Sequence, residues 1–217
     1  MTPASQQALI NLRDLSTLQW YVIPLLALTF YIYTVEIKKA RRSGDWNAIF
    51  AGLTVFGMDF INETWNGWLF HLSGYAGCWT TPGPTALRTM IGWNIEIMFM
   101  FAILGIIYYN SLSDNKDDKI FGIPNRWFWL VWYTAFCVFI EVALNIGGHL
   151  VWDWRFWNRS FEGIWLIFFF GYFHFFLAAY LVIGMKTVKN KIITVGVIYA
   201  IAIVANIIGL GIMGWNY

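Results

Sequence analysis

Charged side chains are scarce in this sequence, because Asp, Glu, Lys and Arg make up only 12% of its 217 residues. A typical soluble domain carries about 25% of them, so the shortage argues against a soluble fold. The net charge of +2, without a Lys/Arg-rich stripe, gives no reason to expect a nucleic-acid partner. The chain has 2 Cys and 3 His and no CxxC pair, which argues against a redox centre or a structural zinc site.

Apolar residues dominate instead, at 59% of the chain with a mean hydropathy of +0.57. Repeated apolar runs of about twenty residues are long enough to cross a bilayer core of about 30 Å. They predict an all-α, polytopic membrane helical bundle in which residues 1–217 form a single integral-membrane domain. We expect about six transmembrane helices, at about 18–36, 47–70, 89–110, 126–151, 161–185 and 192–214.

The basic residues predict an orientation for these helices. Ten Lys and Arg residues follow the first, third and fifth predicted spans, and four lie on the other side. The positive-inside rule then places both termini on the non-cytoplasmic side. The segment Ser73–Leu87 is rich in Gly, Pro and Thr, and we expect it to fold over the outer mouth of the bundle.

Three glutamates, Glu63, Glu96 and Glu141, interrupt the apolar runs. A carboxylate inside a membrane costs several kcal/mol unless it is paired, hydrated or protonated, so such residues usually serve a function. Counted at about 1.5 Å per residue, Glu63 and Glu96 lie about 10 Å below the outer surface and Glu141 about 15 Å below it. We therefore expect the three to share one layer in the outer half of the membrane.

Other polar residues accompany these acids at helical spacing. Four residues of the second predicted span fall on one stripe: Asp59, Asn62, Glu63 and Asn66. Three residues of the fourth recur at i, i+4 and i+8: Glu141, Asn145 and His149. In the third span, Asn94 and Glu96 are two positions apart and face different directions.

These residues favour acid–base chemistry, because burial disfavours the charged form of a carboxyl group and neighbouring acids titrate apart. The expected catalytic residues are Glu63, Glu141, Glu96, Asp59 and His149. The expected substrate-binding residues are Asn62, Asn66, Trp65, Trp93, Asn94, Asn145, His174 and Phe173. Aromatic faces can stabilise a carbocation, so we expect cyclisation or isomerisation of a hydrophobic, isoprenoid- or sterol-like substrate.

Glu63 followed by Trp65 loosely resembles the acid and aromatic residues in an early span of small integral-membrane terpene cyclases. The buried acids also resemble those of the sterol isomerases. Terpene cyclases have a further acid in a late span, whereas the last predicted span here, 192–214, contains none. The resemblance implies a helical-bundle enzyme acting on a lipid.

Two other functions fit the same residues. A divalent metal held by Glu63, Glu141 and His149, with Asp59 or Glu96 as a further ligand, would make the protein a membrane hydrolase or oxidase. The chain contains no HExxH or ExxH motif, however. Alternatively, the polar layer is a proton or solute path in a small transporter, or in a subunit of a membrane complex. Beyond that metal we predict no cofactor, and we expect the lipid bilayer and a hydrophobic small molecule as partners.

Overall fold

The computed structural model describes residues 1–217, and most of them are helical. The helices are α1 (Pro3–Leu9), α2 (Val22–Ser43), α3 (Asn47–Ser73), α4 (Ile95–Asn110), α5 (Asn125–Ile146), α6 (Phe161–Gly184) and α7 (Val188–Ile212). A 3-10 turn covers Leu15–Thr17. Two short antiparallel hairpins pair β1 (Arg88–Met90) with β2 (Trp93–Asn94) and β3 (Lys119–Ile120) with β4 (Ile123–Pro124).

The long helices alternate in direction, so their connections collect at two ends of a bundle. At one end, the Tyr109 hydroxyl donates to Asp45 Oδ2 over 2.6 Å. At the other end, the backbones of Thr80 and Val151 pair, with N–O distances of 3.0 and 2.8 Å. We call residues 1–20, 74–94 and 147–160 at this second end the cap. Ser73–Leu87 therefore folds over one mouth of the bundle.

Three helices are long and apolar enough to cross a membrane: α5, α6 and α7. Helix α4 is apolar but has only 16 residues. Helix α3 carries Asp59 and Glu63 along its middle, and α2 ends in a run of Lys and Arg, which lowers the mean hydropathy of both. The chain is thus an all-α membrane protein, but the structure supports three such helices and not the six that we predicted.

Two helices are shorter than the apolar runs suggested, which moves predicted site residues out of them. Helix α4 begins at Ile95, and Asn94 is its N-cap, with Oδ1 accepting from Ile97 N over 2.9 Å. Helix α5 ends at Ile146 because Gly148 takes a left-handed conformation with φ +73°. His149 therefore lies after the helix.

Helix α3 is the central helix and packs against α4, α6 and α7. Its contact with α4 depends on small residues, since a Cβ built on Gly105 would lie 2.2 Å from the Ala51 carbonyl oxygen. Such close approach of two backbones is typical of helix packing in membranes. Buried Val55 and Phe101 fill the adjoining core. This packing fixes the position of the polar stripe of α3.

Candidate functional site

A cavity lies between α3, α4, α5 and α6, and three carboxylates line it. They are Asp59, Glu63 and Glu141, each at most 4% exposed. The other lining side chains are mainly apolar or aromatic, and the free volume is about 90 Å³. That volume accommodates a few waters or part of a larger molecule, since a whole drug-sized ligand needs roughly 300 Å³ or more.

Each carboxylate accepts a hydrogen bond from an indole N–H of the cap. The pairs are Trp93 Nε1 to Asp59 Oδ2 at 2.7 Å, Trp79 Nε1 to Glu63 Oε1 at 2.7 Å, and Trp152 Nε1 to Glu141 Oε1 at 2.8 Å. Hydrogen bonds to charged groups contribute more than neutral ones. The cap therefore closes one end of the cavity and also orients its three acids.

Local packing holds Trp79 against Glu63. Asn66, one turn beyond Glu63 on α3, accepts from Cys78 N over 2.7 Å and donates to the Trp79 carbonyl oxygen over 2.8 Å. Gly92 leaves the space they need, because a Cβ there would lie 2.6 Å from both Glu63 Oε2 and the Trp79 ring. Asn66 and Gly92 thus position the acid and its donor.

Glu63 Oε2 has no hydrogen-bond partner although the residue is only 3% exposed. Buried polar atoms are nearly always hydrogen-bonded, so an open acceptor is unusual. Glu141 has a fuller environment, because Tyr172 and Trp157 lie beside its carboxylate. Trp157 Nε1 is directed to that carboxylate without reaching hydrogen-bond geometry. Glu63 is therefore the acid of the cavity with a fully buried oxygen that has no partner.

One side of the cavity opens to the outside of the bundle. Met100 of α4 and Phe136 of α5 both line it, and they are 38% and 46% exposed. Ile140 lies one turn further along α5 and also lines the cavity. The opening lies between α4 and α5 and is lined by apolar side chains.

A π-helical stretch of α6, Ile167–Phe173, borders the cavity. Its widened turn leaves carbonyl oxygens free, and Asn62 Nδ2 donates to those of Phe170 and Gly171 over 3.3 and 3.1 Å. Asn62 Oδ1 also lies 3.2 Å from His174 Nε2. Such stretches are frequent at functional sites. Asn62 lines the cavity, as predicted, and also holds the π stretch in place.

Glu96, which we predicted to act with the other acids, does not line their cavity. Its carboxylate accepts from the Tyr21 hydroxyl over 2.6 Å, the Thr85 hydroxyl over 2.6 Å and Ala86 N over 2.9 Å. It stands in the first turn of α4, where the helix dipole favours a negative charge. Glu96 therefore fastens the cap to α4 and does not line the cavity.

His149 and Asn145 are also outside the cavity. His149 is exposed in the turn after α5, so it cannot share a helical face with Glu141. Asn145 Nδ2 donates to the Leu150 carbonyl oxygen over 3.0 Å and closes that turn. The predicted i, i+4, i+8 face is wrong because α5 ends before its third member.

Four predicted substrate-binding residues have other places. Trp65 is 38% exposed and packs against Trp79 with the rings tilted by 51° and 5.7 Å between centroids. Phe173 packs on aromatic neighbours of its own helix, and Asn94 caps α4. His174 contacts Asn62 but does not line the cavity. Trp93 does belong to the site, as the donor to Asp59.

Sequence reasoning missed Trp79, Trp152 and Tyr172. Trp79 lies in the Gly/Pro-rich segment 73–87, and Trp152 lies in a Trp-rich segment, 151–159. The sequence signal that could have found them is the number of Trp residues near the few buried acids, because a buried indole N–H needs an acceptor. Tyr172 was hidden among the aromatic residues of α6.

The geometry gives no support to a metal centre. No group of three or more His, Cys, Asp and Glu side chains is placed to hold a metal ion. Indole donors already occupy one oxygen of each acid. A divalent metal needs several oxygen or nitrogen ligands at once.

Comparison with known proteins gives a consistent classification. Residues 2–211 match a family described as an uncharacterized membrane protein family. The chain is 44% identical over 214 residues to an uncharacterized protein of Archaeoglobus fulgidus, and the match covers 99% of each chain. No solved structure matches. With nearly the whole sequence matched, the chain belongs to this membrane protein family.

Proposed function

We propose that the protein is an intramembrane acid–base enzyme that isomerises or cyclises a hydrophobic, isoprenoid-like olefin. The observation that carries the proposal is the cavity that holds Asp59, Glu63 and Glu141 and opens sideways between α4 and α5. Acids in a cavity with apolar walls can act as general acid and general base in one turnover. The lateral opening suits a substrate that arrives from the bilayer.

In the proposed reaction, one carboxyl group donates its proton to a carbon of the double bond. The adjacent carbon becomes a cation, and a second carboxylate removes a proton from the carbon beyond it. The double bond has then moved, and the acid that gave its proton takes another from water while the second acid releases one to water before the next turnover. Glu63, with its free Oε2, and Glu141 are the proposed pair, and Asp59 is a positioning residue.

The size of the cavity suits only the reacting part of a lipid. A volume of about 90 Å³ holds a few carbon atoms next to the acids. The remaining chain would lie along Met100, Phe136 and Ile140 at the opening. Trp79 and Trp152 would keep the carboxylates directed at the double bond, because each fixes one oxygen.

Deuterium incorporation tests the proposal without knowledge of the product. Purified protein in lipid vesicles in D₂O is incubated with neutral acyclic isoprenoid olefins, and the olefins are analysed by mass spectrometry. We expect deuterium in at least one olefin, and a loss of 100-fold or more in Glu63→Gln and Glu141→Gln proteins. Glu162→Gln is the matched control, because Glu162 is exposed in the first turn of α6 and lies outside the cavity, and it should keep its activity.

Two results would contradict the proposal. One is the absence of deuterium from every olefin with folded wild-type protein. The other is incorporation that is equal in the wild-type, Glu63→Gln and Glu141→Gln proteins, which would place any chemistry elsewhere.

We further propose that both termini face the non-cytoplasmic side. Arg13 Nη1 donates to the Tyr217 backbone oxygen over 3.1 Å, which supports a common side for the two. A chain with both termini on one side crosses the membrane an even number of times. A further helix must then cross besides α5, α6 and α7, and α3 is long enough, at 27 residues. In a background without native cysteines, an impermeant maleimide should label Ser16→Cys in intact cells and Lys116→Cys only after lysis. The reverse pattern would contradict this orientation.

A further inference from the structure

The charges around the cavity are unbalanced. Asp59, Glu63 and Glu141 line it, and no Lys, Arg or His side chain does. The nearest buried cation of the cap, Arg88, directs its guanidinium at backbone carbonyls. Buried charges in proteins are usually paired, so any negative charge on these acids lacks a cationic partner within the chain.

Aromatic faces surround the same space. Trp79 and Trp157 lie 5.7 Å apart between centroids, and Phe101 stacks on Tyr172 at 6.2 Å. Phe175 meets Tyr172 edge to face at 5.9 Å. All five residues line the cavity. The faces of such rings attract cations, more strongly where water is excluded.

The second oxygen of each acid adds a position for a donor, because the indole N–H groups occupy only the first. Glu63 Oε2 is such an oxygen, and it is buried in a residue that lines the cavity. A charged N–H donor would satisfy it with a hydrogen bond stronger than one between neutral groups. An anionic ligand could not, because its oxygens would face three carboxylates without a counter-charge.

We propose that the cavity binds a lipophilic cation, and that the enzyme's substrate is therefore a neutral olefin that becomes cationic during the reaction. The second part rests on the proposed function, whereas the binding of a cation does not. Isoprenoid diphosphates are excluded as occupants, because phosphate groups need Lys, Arg or backbone N–H donors. A long-chain amine imitates the charge and shape of the reactive intermediate.

Binding of three probes with the same chain tests this assignment. Dodecylamine, dodecanol and dodecanoate are titrated separately into the protein in nanodiscs of zwitterionic lipid, and the heat of binding is measured by calorimetry. We expect dodecylamine to bind at least tenfold more tightly than dodecanol, and dodecanoate not to bind. The Glu63→Gln protein should lose tenfold or more of the affinity for dodecylamine only, whereas Glu162→Gln, at an exposed position of α6, should bind like the wild type.

The comparison of the three probes in the wild-type protein does not depend on the folding of any variant. Equal binding of the three probes, or preference for dodecanoate, would overturn the assignment. So would unchanged dodecylamine binding in both Glu63→Gln and Glu141→Gln proteins. Amine binding without deuterium incorporation would support the cation site and contradict the enzymatic proposal. Deuterium incorporation without amine binding would support the enzymatic proposal and contradict the cation site.

Discussion

Trp79 donates its indole N–H to Glu63 Oε1 over 2.7 Å, joining a residue of the cap to an acid of α3 sixteen positions earlier. Trp93 and Trp152 make the same kind of contact with the other two acids of the cavity. The cap is thus bonded to the site that it covers. Changes in the cap should therefore affect the acids, although its loops lie outside the long helices.

Replacing Trp79 with Phe should remove the hydrogen bond and keep most of the packing. Glu63 Oε1 would lose its partner in a buried place, which costs about 1–3 kcal/mol of stability. Trp65→Phe is the matched control, because the Trp65 ring packs against Trp79 without donating to an acid. Thermal unfolding in detergent and deuterium incorporation should both fall in Trp79→Phe and not in Trp65→Phe. Equal effects of the two substitutions would show that the N–H has no special role.

Gly92→Ala should disturb the acid and its donor together. The new Cβ would lie 2.6 Å from Glu63 Oε2 and from Trp79 Nε1, so one of these side chains must move. A methyl group added at Gly196 of α7 would have no neighbour within 4 Å, and alanine there should stabilise the helix by up to about 1 kcal/mol. We expect Gly92→Ala to lose dodecylamine binding, measured by calorimetry, and Gly196→Ala to keep it. Normal binding by Gly92→Ala would mean that Glu63 is free to reorient.

Arg88 should be essential for the cap. Its guanidinium donates to the carbonyl oxygens of Ala8, Ile10, Thr81 and Gly83, over 2.6 to 3.4 Å. Burial lowers the pKa of Arg88, and the nearby negative charge of Glu96 partly offsets this.

Arg88→Met would leave these carbonyls without a donor and should cost at least about 3 kcal/mol. Arg155→Met, at an exposed position of the cap, should cost little. Proteolysis of the cap in detergent measures the difference. Equal resistance of the Arg88→Met and wild-type proteins would contradict this role.

The Cys78 thiol in the cap should react slowly and in a pH-dependent manner. Burial, with a contribution from Glu141, raises its pKa to about 12 from an ordinary 9.0. The thiol stays neutral at pH 7–9, whereas the thiolate is the reactive form. In a Cys137→Ala background, alkylation by iodoacetamide should rise steadily with pH and become fast on unfolding. A rate at pH 8 equal to that of Ser16→Cys in a chain without native cysteines would contradict this.

The same pKa difference fixes a trend in stability. Between pH 9 and 12 the unfolded chain loses the Cys78 proton that the folded chain keeps. Stability should therefore fall as pH rises through this window. The decrease should be smaller in Cys78→Ala, as measured by the thermal unfolding midpoint at several pH values.

The sequence predicted the class and part of the site, since hydropathy and helical period depend on neighbouring residues alone. Asp59, Asn62 and Glu63 share a face because α3 is regular over its whole length. The predicted number of membrane-spanning helices was wrong. The apolar runs did not show that α4 has only 16 residues, or that charged residues lower the mean hydropathy of α2 and α3. Predictions near the ends of α4 and α5 failed for a local reason, since Asn94 and Gly148 end helical geometry there.

The contacts between loops and helices could not be predicted in this way. Trp79 meets Glu63 only because Asn66 binds the loop backbone and Gly92 leaves space beside it. Glu96 interrupts an apolar run in the sequence as the other acids do, but its carboxylate accepts hydrogen bonds from the hydroxyls of Tyr21 and Thr85. These relationships depend on the path of the cap over the bundle, which no periodic pattern encodes.

The π stretch of α6 also determines how one wall of the cavity is formed. A turn widened in this way is what one inserted residue produces in an α-helix. Removing a residue from Ile167–Phe173 would restore regular hydrogen bonds and rotate the preceding part of α6 by about 100° relative to the rest. Tyr172 and Gly171 would then leave the cavity wall, and Asn62 would lose its carbonyl partners. A chain shorter by one residue in this stretch would therefore lack this wall of the cavity, so the widened turn and Asn62 depend on each other in forming it.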